Sequence, residues 1–158
     1  MSDRSTRFFD DDHFMRLALD EARKALPSGD VPVGAVAVRQ GEVIGRGYNR
    51  READGDPTAH AEMLAIREAA QVIGEWRLEG VTLYCTLEPC CMCAGAMVLA
   101  RIPRLVYAVI EPKTGCCGSI ADVLRHPKLN HRVDVFVGVQ AEESAALLRE
   151  FFAGLRNE

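Results

Sequence analysis

The sequence predicts one α/β domain over residues 1–158, because short apolar runs alternate with amphipathic helical stretches along the whole chain. A chain of 158 residues is long enough for one domain with a sizeable core, and no internal repeat divides it. The composition, 48% hydrophobic and 27% charged, is ordinary for a globular protein and excludes the disordered and fibrous classes. We therefore expect a central sheet covered by helices.

The first predicted element is an amphipathic helix. Its apolar positions follow helical spacing and are Met15, Ala18, Leu19, Ala22 and Leu26. Asp10 to Asp12 precede this pattern, and the breaker Pro27-Ser28-Gly29 ends it.

A β-hairpin is predicted next, with strands 33–38 and 42–48 around a turn at Gln40-Gly41. The polar segment 49–57 is expected to be a loop. It leads to Thr58, the expected N-cap of a second helix.

That second helix is expected to carry His60 and Glu62 and to end at Gly74. A buried strand is predicted next, at residues 81–86. It is followed by a helix with its inner stripe from Cys93 to Ala100 and, after Pro103, by another strand at residues 105–110.

The last quarter of the chain begins with a long loop, 111–132, in which a short helix is predicted at 120–125. A final strand at 133–137 and a final helix at 141–155 complete the domain. Glu88 precedes a proline, so it is expected to be extended and structural.

Two short motifs supply three metal ligands and one carboxylate. His60, Cys90 and Cys93 are ligand types that suit Zn²⁺, and three protein ligands leave a fourth tetrahedral position open to water. Because zinc lowers the pKa of a bound water to about 7, Glu62 is the expected proton acceptor and donor. His60 and Glu62 would diverge within a helix, so the metal is expected at helix N-termini, where the dipole favours thiolates.

An isolated C-x-x-C motif is also typical of a structural zinc site or a redox pair. A structural site needs a fourth ligand, for which Cys91 is the obvious candidate, but adjacent cysteines point to different sides of a helix. The combination of H-x-E with P-C-x-x-C matches the signature of zinc-dependent base deaminases, which favours a catalytic zinc.

The six cysteines are clustered and do not resemble a disulfide framework. Cys85 and Cys91 are expected in the core, and Cys116 and Cys117 are expected to fill space in a loop, because free cysteine behaves as a small hydrophobe. The segment from Met1 to Asp12 is polar and lacks the features of a signal peptide. These observations predict a cytoplasmic protein with no membrane segment.

The net charge of −4 gives no overall sign of a nucleic-acid binder, so any contact with nucleic acid must be local. The candidate cations are Arg50, Arg51, Lys113 and the segment 125–132. Basic clusters this short are also typical of solvated loops, and both interpretations stay open.

The whole chain resembles the bacterial tRNA-specific adenosine deaminases, which convert the wobble adenosine of an arginine tRNA to inosine. The stretches that carry the resemblance include VPVGA at 31–35, GYNR at 47–50, DPTAHAE at 56–62, TLEPC at 86–90, MCAGAM at 92–97 and KTG at 113–115. Further matches beyond the zinc motifs are GS at 118–119, NHRV at 130–133 and FF at 151–152. One departure is Glu111, where these enzymes commonly have an aspartate.

The resemblance implies a three-layer α/β/α sandwich with a five-stranded mixed sheet of the cytidine-deaminase-like type, in a homodimer. It implies one Zn²⁺ per chain bound by His60, Cys90 and Cys93, with Glu62 as the proton shuttle and no organic cofactor. It implies an anticodon stem-loop as partner and substrate-binding roles for Asn49, Ala61, Lys113, Arg132 and Phe152. Asn49 would hydrogen-bond the purine ring.

Other readings of these residues stay open. Asn49 also fits a turn after a strand, and one of Phe151 and Phe152 is expected to pack, because adjacent helix positions face apart. A free nucleobase or nucleotide deaminase, of guanine or cytosine type, could use the same zinc site. A non-catalytic zinc-stabilised binding domain would instead have a closed four-ligand site and leave Glu62 without a role.

Overall fold

The computed structural model describes residues 4–156, and for residues 4–9 it describes only the helical backbone. The predicted domain, 1–158, therefore extends past the described residues at both ends. In chain order the elements are α1 (Arg4–Arg23), β1 (Gly34–Arg39), β2 (Glu42–Tyr48), α2 (Arg51–Asp54), α3 (Ala61–Ile73), β3 (Val81–Leu87), α4 (Cys91–Leu99), β4 (Arg104–Val109), β5 (Asp134–Val137) and α5 (Ala141–Arg156). A single 3-10 turn at Leu26–Ser28 follows α1.

The five strands form one mixed sheet in the order β2-β1-β3-β4-β5. β1 runs antiparallel to both β2 and β3, whereas β3, β4 and β5 are parallel. Because parallel neighbours need a crossover, α4 connects β3 to β4 and the loop after β4 leads to β5. The carboxyl ends of β3 and β4 thus lie at one edge of the sheet.

Side chains alternate between the two faces of the sheet and build two cores. On one face, Ala35 and Leu83 pack in a cluster with residues of α3 and α4. On the other, Val36 and Tyr84 pack with Met15 of α1. The hydroxyl of Ser144 in α5 donates a 2.6 Å hydrogen bond to the carbonyl of Thr86, placing α5 at the end of β3. The predicted three-layer sandwich with a five-stranded mixed sheet is confirmed.

Glycines let α3 lie very close to β2. A Cβ atom on Gly47 would lie 2.2 Å from the carbonyl oxygen of Ala61, and one on Gly45 would lie 2.2 Å from that of Ala65. No side chain fits at either position, so the start of α3 is fixed against the sheet.

Several predicted boundaries are wrong. α1 ends at Arg23 and a separate 3-10 turn covers the residues before Gly29. Thr58 is not the N-cap of α3: its hydroxyl bonds Asp56, and His60 occupies the N-cap. The loop 49–57 contains the short helix α2, and the helix predicted at 120–125 is absent, replaced by turns and isolated bridges.

The cysteine prediction is wrong for one pair. Cys91 and Cys116 form a disulfide across 25 residues, with their Cα atoms 4.9 Å apart. Cys91 is exposed rather than in the core, and Cys116 is buried. Cys85 and Cys117 are free and buried, as expected. Among the described residues, no helix is long and apolar enough to cross a membrane.

Candidate metal and substrate site

Three side chains converge at the edge of the sheet with the spacing of a tetrahedral metal site. Nδ1 of His60 lies 3.6 Å from Sγ of Cys90 and 3.6 Å from Sγ of Cys93, and the two sulfur atoms lie 3.8 Å apart. Typical Zn–S and Zn–N bond lengths in a tetrahedron require S···S and N···S separations of about 3.8 and 3.6 Å. The group is also the cluster of potential metal ligands found among residues 10–156. These residues fit zinc.

Helix N-termini bring these ligands together, as predicted. His60 is the N-cap of α3 and Cys90 is the N-cap of α4, both with extended backbone. N-cap side chains usually bond the helix backbone, but neither of these does. Their carbonyls accept the first helical hydrogen bonds, from Leu64 and Ala94, so the imidazole and the thiol stay free for a metal.

The contacts among the ligands favour a thiolate at Cys90, whereas the same contact with Cys90, together with burial, raises the pKa of Cys93. The hydrogen bond between the two thiol groups lowers the pKa of Cys90 to about 3, and the imidazole of His60 adds to this effect. The contact with Cys90 in turn raises the pKa of His60. A thiolate beside an imidazole is the donor set that a soft divalent metal prefers.

Glu62 is buried next to the ligand cluster, with 4% of its surface exposed. Burial raises the pKa of this carboxyl, and a hydrogen bond with the thiol of Cys93 opposes that rise. Because Glu62 lies one residue inside α3, two positions after His60, its side chain enters the site from a different direction. A buried carboxyl with a raised pKa beside a metal site is suited to accepting and donating protons.

A cavity of about 250 Å³ opens onto these groups. Its wall includes His60, Glu62 and Cys90, together with Asn49 and Phe152. The remaining lining residues are Val31, Val33, Arg51, Ala61, Leu87, Glu88, Glu111 and Thr114. The cavity thus combines apolar walls with a few polar groups, as small-molecule sites commonly do.

Asn49 is held in place by the segments on either side of it. Its Nδ2 donates a 3.2 Å hydrogen bond to the carbonyl of Val31, and its Oδ1 accepts a 3.1 Å hydrogen bond from the backbone N–H of Arg51. One amide hydrogen and one lone pair remain for a ligand. The backbone N–H of Ala61, the first residue of α3, has no acceptor within the helix, and Ala61 is one of the residues that line the cavity.

A second, wider groove adjoins the cavity and shares Glu111 and Phe152 with it. Three cations line this groove: Lys113, Arg149 and Arg156. Its other lining residues are Leu148, Ala153 and Leu155. Phe152 is 45% exposed there, whereas Phe151 is partly buried beside it, which agrees with the expectation that the pair divides between surface and packing.

Arg132 is not brought to this region. It is exposed two residues before β5, next to the start of β4, where Nε2 of His131 contacts the carbonyl of Ile102 at 2.7 Å. The cavity lies at the other end of the parallel strands. Sequence reasoning also missed Arg149 and Arg156, although their spacing of seven, with Phe152 between them, indicates one face of a helix.

Glu88 has the structural role that was expected. It is 3% exposed, and its backbone N–H bonds the carbonyl of Val109 at 2.9 Å. Burial alone would raise the pKa of its carboxyl, but hydrogen bonds from Ser119 and from the backbone of Glu111 and Cys117 outweigh this effect and lower it.

Comparison with known proteins agrees with the fold and the site. A family model for the cytidine and deoxycytidylate deaminase zinc-binding region matches residues 9–109. The chain is 48% identical to the tRNA-specific adenosine deaminase of Bacillus subtilis (strain 168), over 94% of this chain and 92% of that protein. It is 47% identical to the tRNA-specific adenosine deaminase of Aquifex aeolicus (strain VF5), over 92% of this chain and 96% of that protein.

Two solved structures give the same picture. One, from work on A-to-I editing by tRNA:A34 deaminases at the wobble position of transfer RNA, is 48% identical, with a TM-score of 0.83 over 86% of this chain and 99% of that one. The other, a guanine deaminase from Nitrosomonas europaea, is 25% identical, with a TM-score of 0.75 over 90% and 84% of the two chains.

The matched region contains both ligand motifs and most of the sheet, so fold and metal site together define a zinc-dependent deaminase. The alignment with the relative from Bacillus subtilis covers 94% of this chain and therefore continues well past residue 109. The chain belongs to the family of tRNA-specific adenosine deaminases.

Proposed function

We propose that the protein hydrolyses adenosine to inosine at the wobble position of a tRNA anticodon. The observation that carries this proposal is the position of buried Glu62 beside three potential zinc ligands, in the wall of a cavity that adjoins a groove lined by three cations. The relatives named tRNA-specific adenosine deaminases support the choice of substrate.

His60, Cys90 and Cys93 would hold one zinc ion per chain. When bound, zinc lowers the pKa of water to about 7 and so supplies a nucleophile at neutral pH. The N-termini of α3 and α4 would stabilise the two thiolates. We infer no organic cofactor, since hydrolysis of an amidine needs only water and proton transfer.

Glu62 would move the protons. Its carboxyl would take the two protons of the attacking water one after the other, giving one to N1 of adenine and the other to the amine. The water oxygen would bond to C6, and the amine would leave C6 as ammonia. Burial favours the protonated form, so Glu62 can hold a proton between these transfers.

The cavity would hold the extruded base. Asn49 has one donor and one acceptor free for the purine ring, and the N–H of Ala61 is a further donor in the wall. An anticodon loop already presents unpaired bases, so little free energy is needed to bring one into the cavity.

The groove beside Phe152 would bind the neighbouring nucleotides. Bases can stack on an exposed aromatic ring, and phosphates can contact Lys113, Arg149 and Arg156. By this account the local charge, and not the net charge of −4, recruits the RNA. Arg132 would contact the RNA only if the RNA reached the amino end of β5, away from the cavity.

The tRNA species and the oligomeric state rest on resemblance, and the location rests on the sequence. We propose an arginine tRNA as substrate, a cytoplasmic location and a homodimer formed by the single domain. Leu99 is 71% exposed and Val72 is 62% exposed, and apolar side chains of this kind are common in subunit interfaces.

A substrate panel tests the proposal. Purified protein is incubated with an arginine anticodon stem-loop, adenosine, cytidine and guanine, and ammonia and inosine are measured. We expect product from the stem-loop alone. Preferential release of ammonia from guanine would favour the second candidate function, deamination of free guanine. The structural similarity to the guanine deaminase from Nitrosomonas europaea is the reason for testing this candidate.

A pair of charge variants locates the RNA. Replacing Lys113, Arg149 and Arg156 by alanine should weaken stem-loop binding. The slope of log K against log salt concentration should become less steep by the amount expected for the loss of about three phosphate contacts. Replacing Lys128 and Arg132 by alanine is the control, which removes two charges instead of three, because both side chains are exposed and neither lines the groove. If only the control pair weakened binding, the groove would not be the RNA site.

A further inference from the structure

The carboxylate of Glu88 collects four hydrogen bonds from one loop. Oε1 accepts from the backbone N–H of Glu111 at 3.0 Å and from the hydroxyl of Ser119, and Oε2 accepts from the N–H groups of Cys117 at 3.0 Å and Ser119 at 3.1 Å. Each oxygen therefore has two donors. Loop segments without regular structure must find partners for their backbone N–H groups, and here one side chain accepts hydrogen bonds from three of them.

The loop backbone also lies directly on this carboxylate. A Cβ atom on Gly115 would lie 2.3 Å from Cδ and 2.4 Å from Oε2 of Glu88. No residue with a side chain fits at 115 unless the loop moves away. The close contact therefore requires two residues: a buried carboxylate at position 88 and a glycine at position 115.

The same loop forms a wall of the substrate cavity. Glu111 and Thr114 line the cavity, and Lys113 lines the adjoining groove. The N–H of Cys116 bonds the carbonyl of Pro89 at 3.0 Å, and Gly115 pairs with Cys90 as an isolated antiparallel bridge. The position of this wall relative to the metal ligands therefore depends on the segment that contains Glu88.

We propose that Glu88 is a positioning residue for substrate binding, which holds the 111–119 wall at the distance from Cys90 that the base and its neighbours require. The inference deepens the proposed function and rests on it. Glu88 transfers no proton in this account, because both of its oxygens are occupied by donors of the loop.

Glu88→Gln tests this role while preserving shape. An amide offers one oxygen and one NH₂ group, so in either orientation at least one backbone N–H of the loop faces another donor. We expect KM for the stem-loop to rise about tenfold, with kcat within about threefold of wild type and one zinc retained per chain. Ser119→Ala removes the hydroxyl bond alone and should raise KM by a smaller factor.

Two further variants separate positioning from general destabilisation. Glu21→Gln changes another carboxylate that is 3% exposed, bonded to Lys24 and Arg46 away from the cavity, and should leave KM unchanged. In Gly115→Ala the added methyl group would collide with the Glu88 carboxylate and displace the loop, so this variant should show the same rise in KM. It also serves as the test if Glu88→Gln does not fold.

Amide hydrogen exchange gives a readout that needs no substrate. In Glu88→Gln the amides of Cys117 and Ser119 should exchange faster than in wild type, while amides of β3 should not change. Unchanged KM and unchanged exchange would overturn the proposal, as would loss of kcat or of zinc with KM unchanged. Failure of wild type to turn over the stem-loop would instead count against the proposed function, and the exchange result would stand separately.

Discussion

Sγ of Cys93 lies 3.6 Å from Nδ1 of His60, although 33 residues separate them in the chain. α3, β3 and the start of α4 must all be in place before the two atoms can meet. Zinc bound here therefore stabilises the folded state, because the unfolded chain cannot assemble the site.

We predict one zinc per chain, and we predict that zinc binding depends on the ligand cysteines but not on Glu62. Cys93→Ala should lose the metal and lower the melting temperature, whereas Glu62→Ala should keep the metal, because Glu62 is not needed to complete the ligand set. Elemental analysis and thermal denaturation of the purified variants check this. Zinc retained by Cys93→Ala would rule out the ligand assignment.

Reduction of the Cys91–Cys116 disulfide should destabilise the protein without releasing zinc. For a separation of 25 residues, the chain-entropy model gives a contribution of about 3.5 kcal/mol. A reductant should lower the melting temperature of wild type and of a Cys117→Ala control, but not that of Cys91→Ser. Equal sensitivity of Cys91→Ser to reductant would show that the bond is absent in solution.

An ion pair far from the cavity should matter for stability alone. Arg104 donates to both carboxylate oxygens of Asp11, at 2.8 and 2.7 Å, and the hydroxyl of Tyr84 bonds Asp11 at 2.6 Å, so that α1 is joined to β4 and β3. Asp11→Asn should cost about 2–4 kcal/mol, because both partners are largely buried. Denaturant unfolding measures the loss, and KM should stay unchanged.

Asp30 should give a pH-dependent contribution to stability. Burial alone would raise its pKa, but hydrogen bonds from the N–H groups of Glu52 and Ala53 and from the Ser28 hydroxyl outweigh this and lower it below 3.8. The ionised form therefore stabilises the fold above pH 3.8, and this stabilisation is lost as the pH falls through the lowered pKa.

Asp30→Asn should accordingly cost about 1–3 kcal/mol at pH 7. The difference from wild type should shrink as the pH falls below 3.8. Asp20→Asn, at an exposed carboxylate, is the control and should show little effect at either pH. A difference between Asp30→Asn and wild type that does not vary with pH would contradict the role of the charge.

The sequence predicted the metal site well because its chemistry is local to two motifs. The H-x-E and P-C-x-x-C motifs are each only a few residues long. Each motif follows a loop or a strand and begins a helix, so its position at a helix N-terminus can be predicted from the local sequence. Helices and strands were found for the same reason, since apolar periodicity is a short-range signal.

Contacts within the long loop could not be predicted in this way. Cys91 pairs with Cys116, and Glu88 bonds a loop whose nearest bonded residue is 23 positions later, so neither contact leaves a periodic pattern. Arg132 was expected to bind the substrate, but the parallel direction of β4 and β5 places it at their amino ends, away from the cavity. Arg149 was missed because its charge contributes to the groove only once α5 is packed.

Deamination of a stem-loop by zinc-loaded protein, with and without the Glu62 carboxylate, tests the central claim most directly. Inosine at the wobble position is quantified by mass spectrometry for wild type and for Glu62→Gln, after elemental analysis shows equal zinc content. We predict stoichiometric conversion by wild type and a loss of at least about 10²-fold in kcat for Glu62→Gln. Comparable inosine formation by the two proteins would contradict the account.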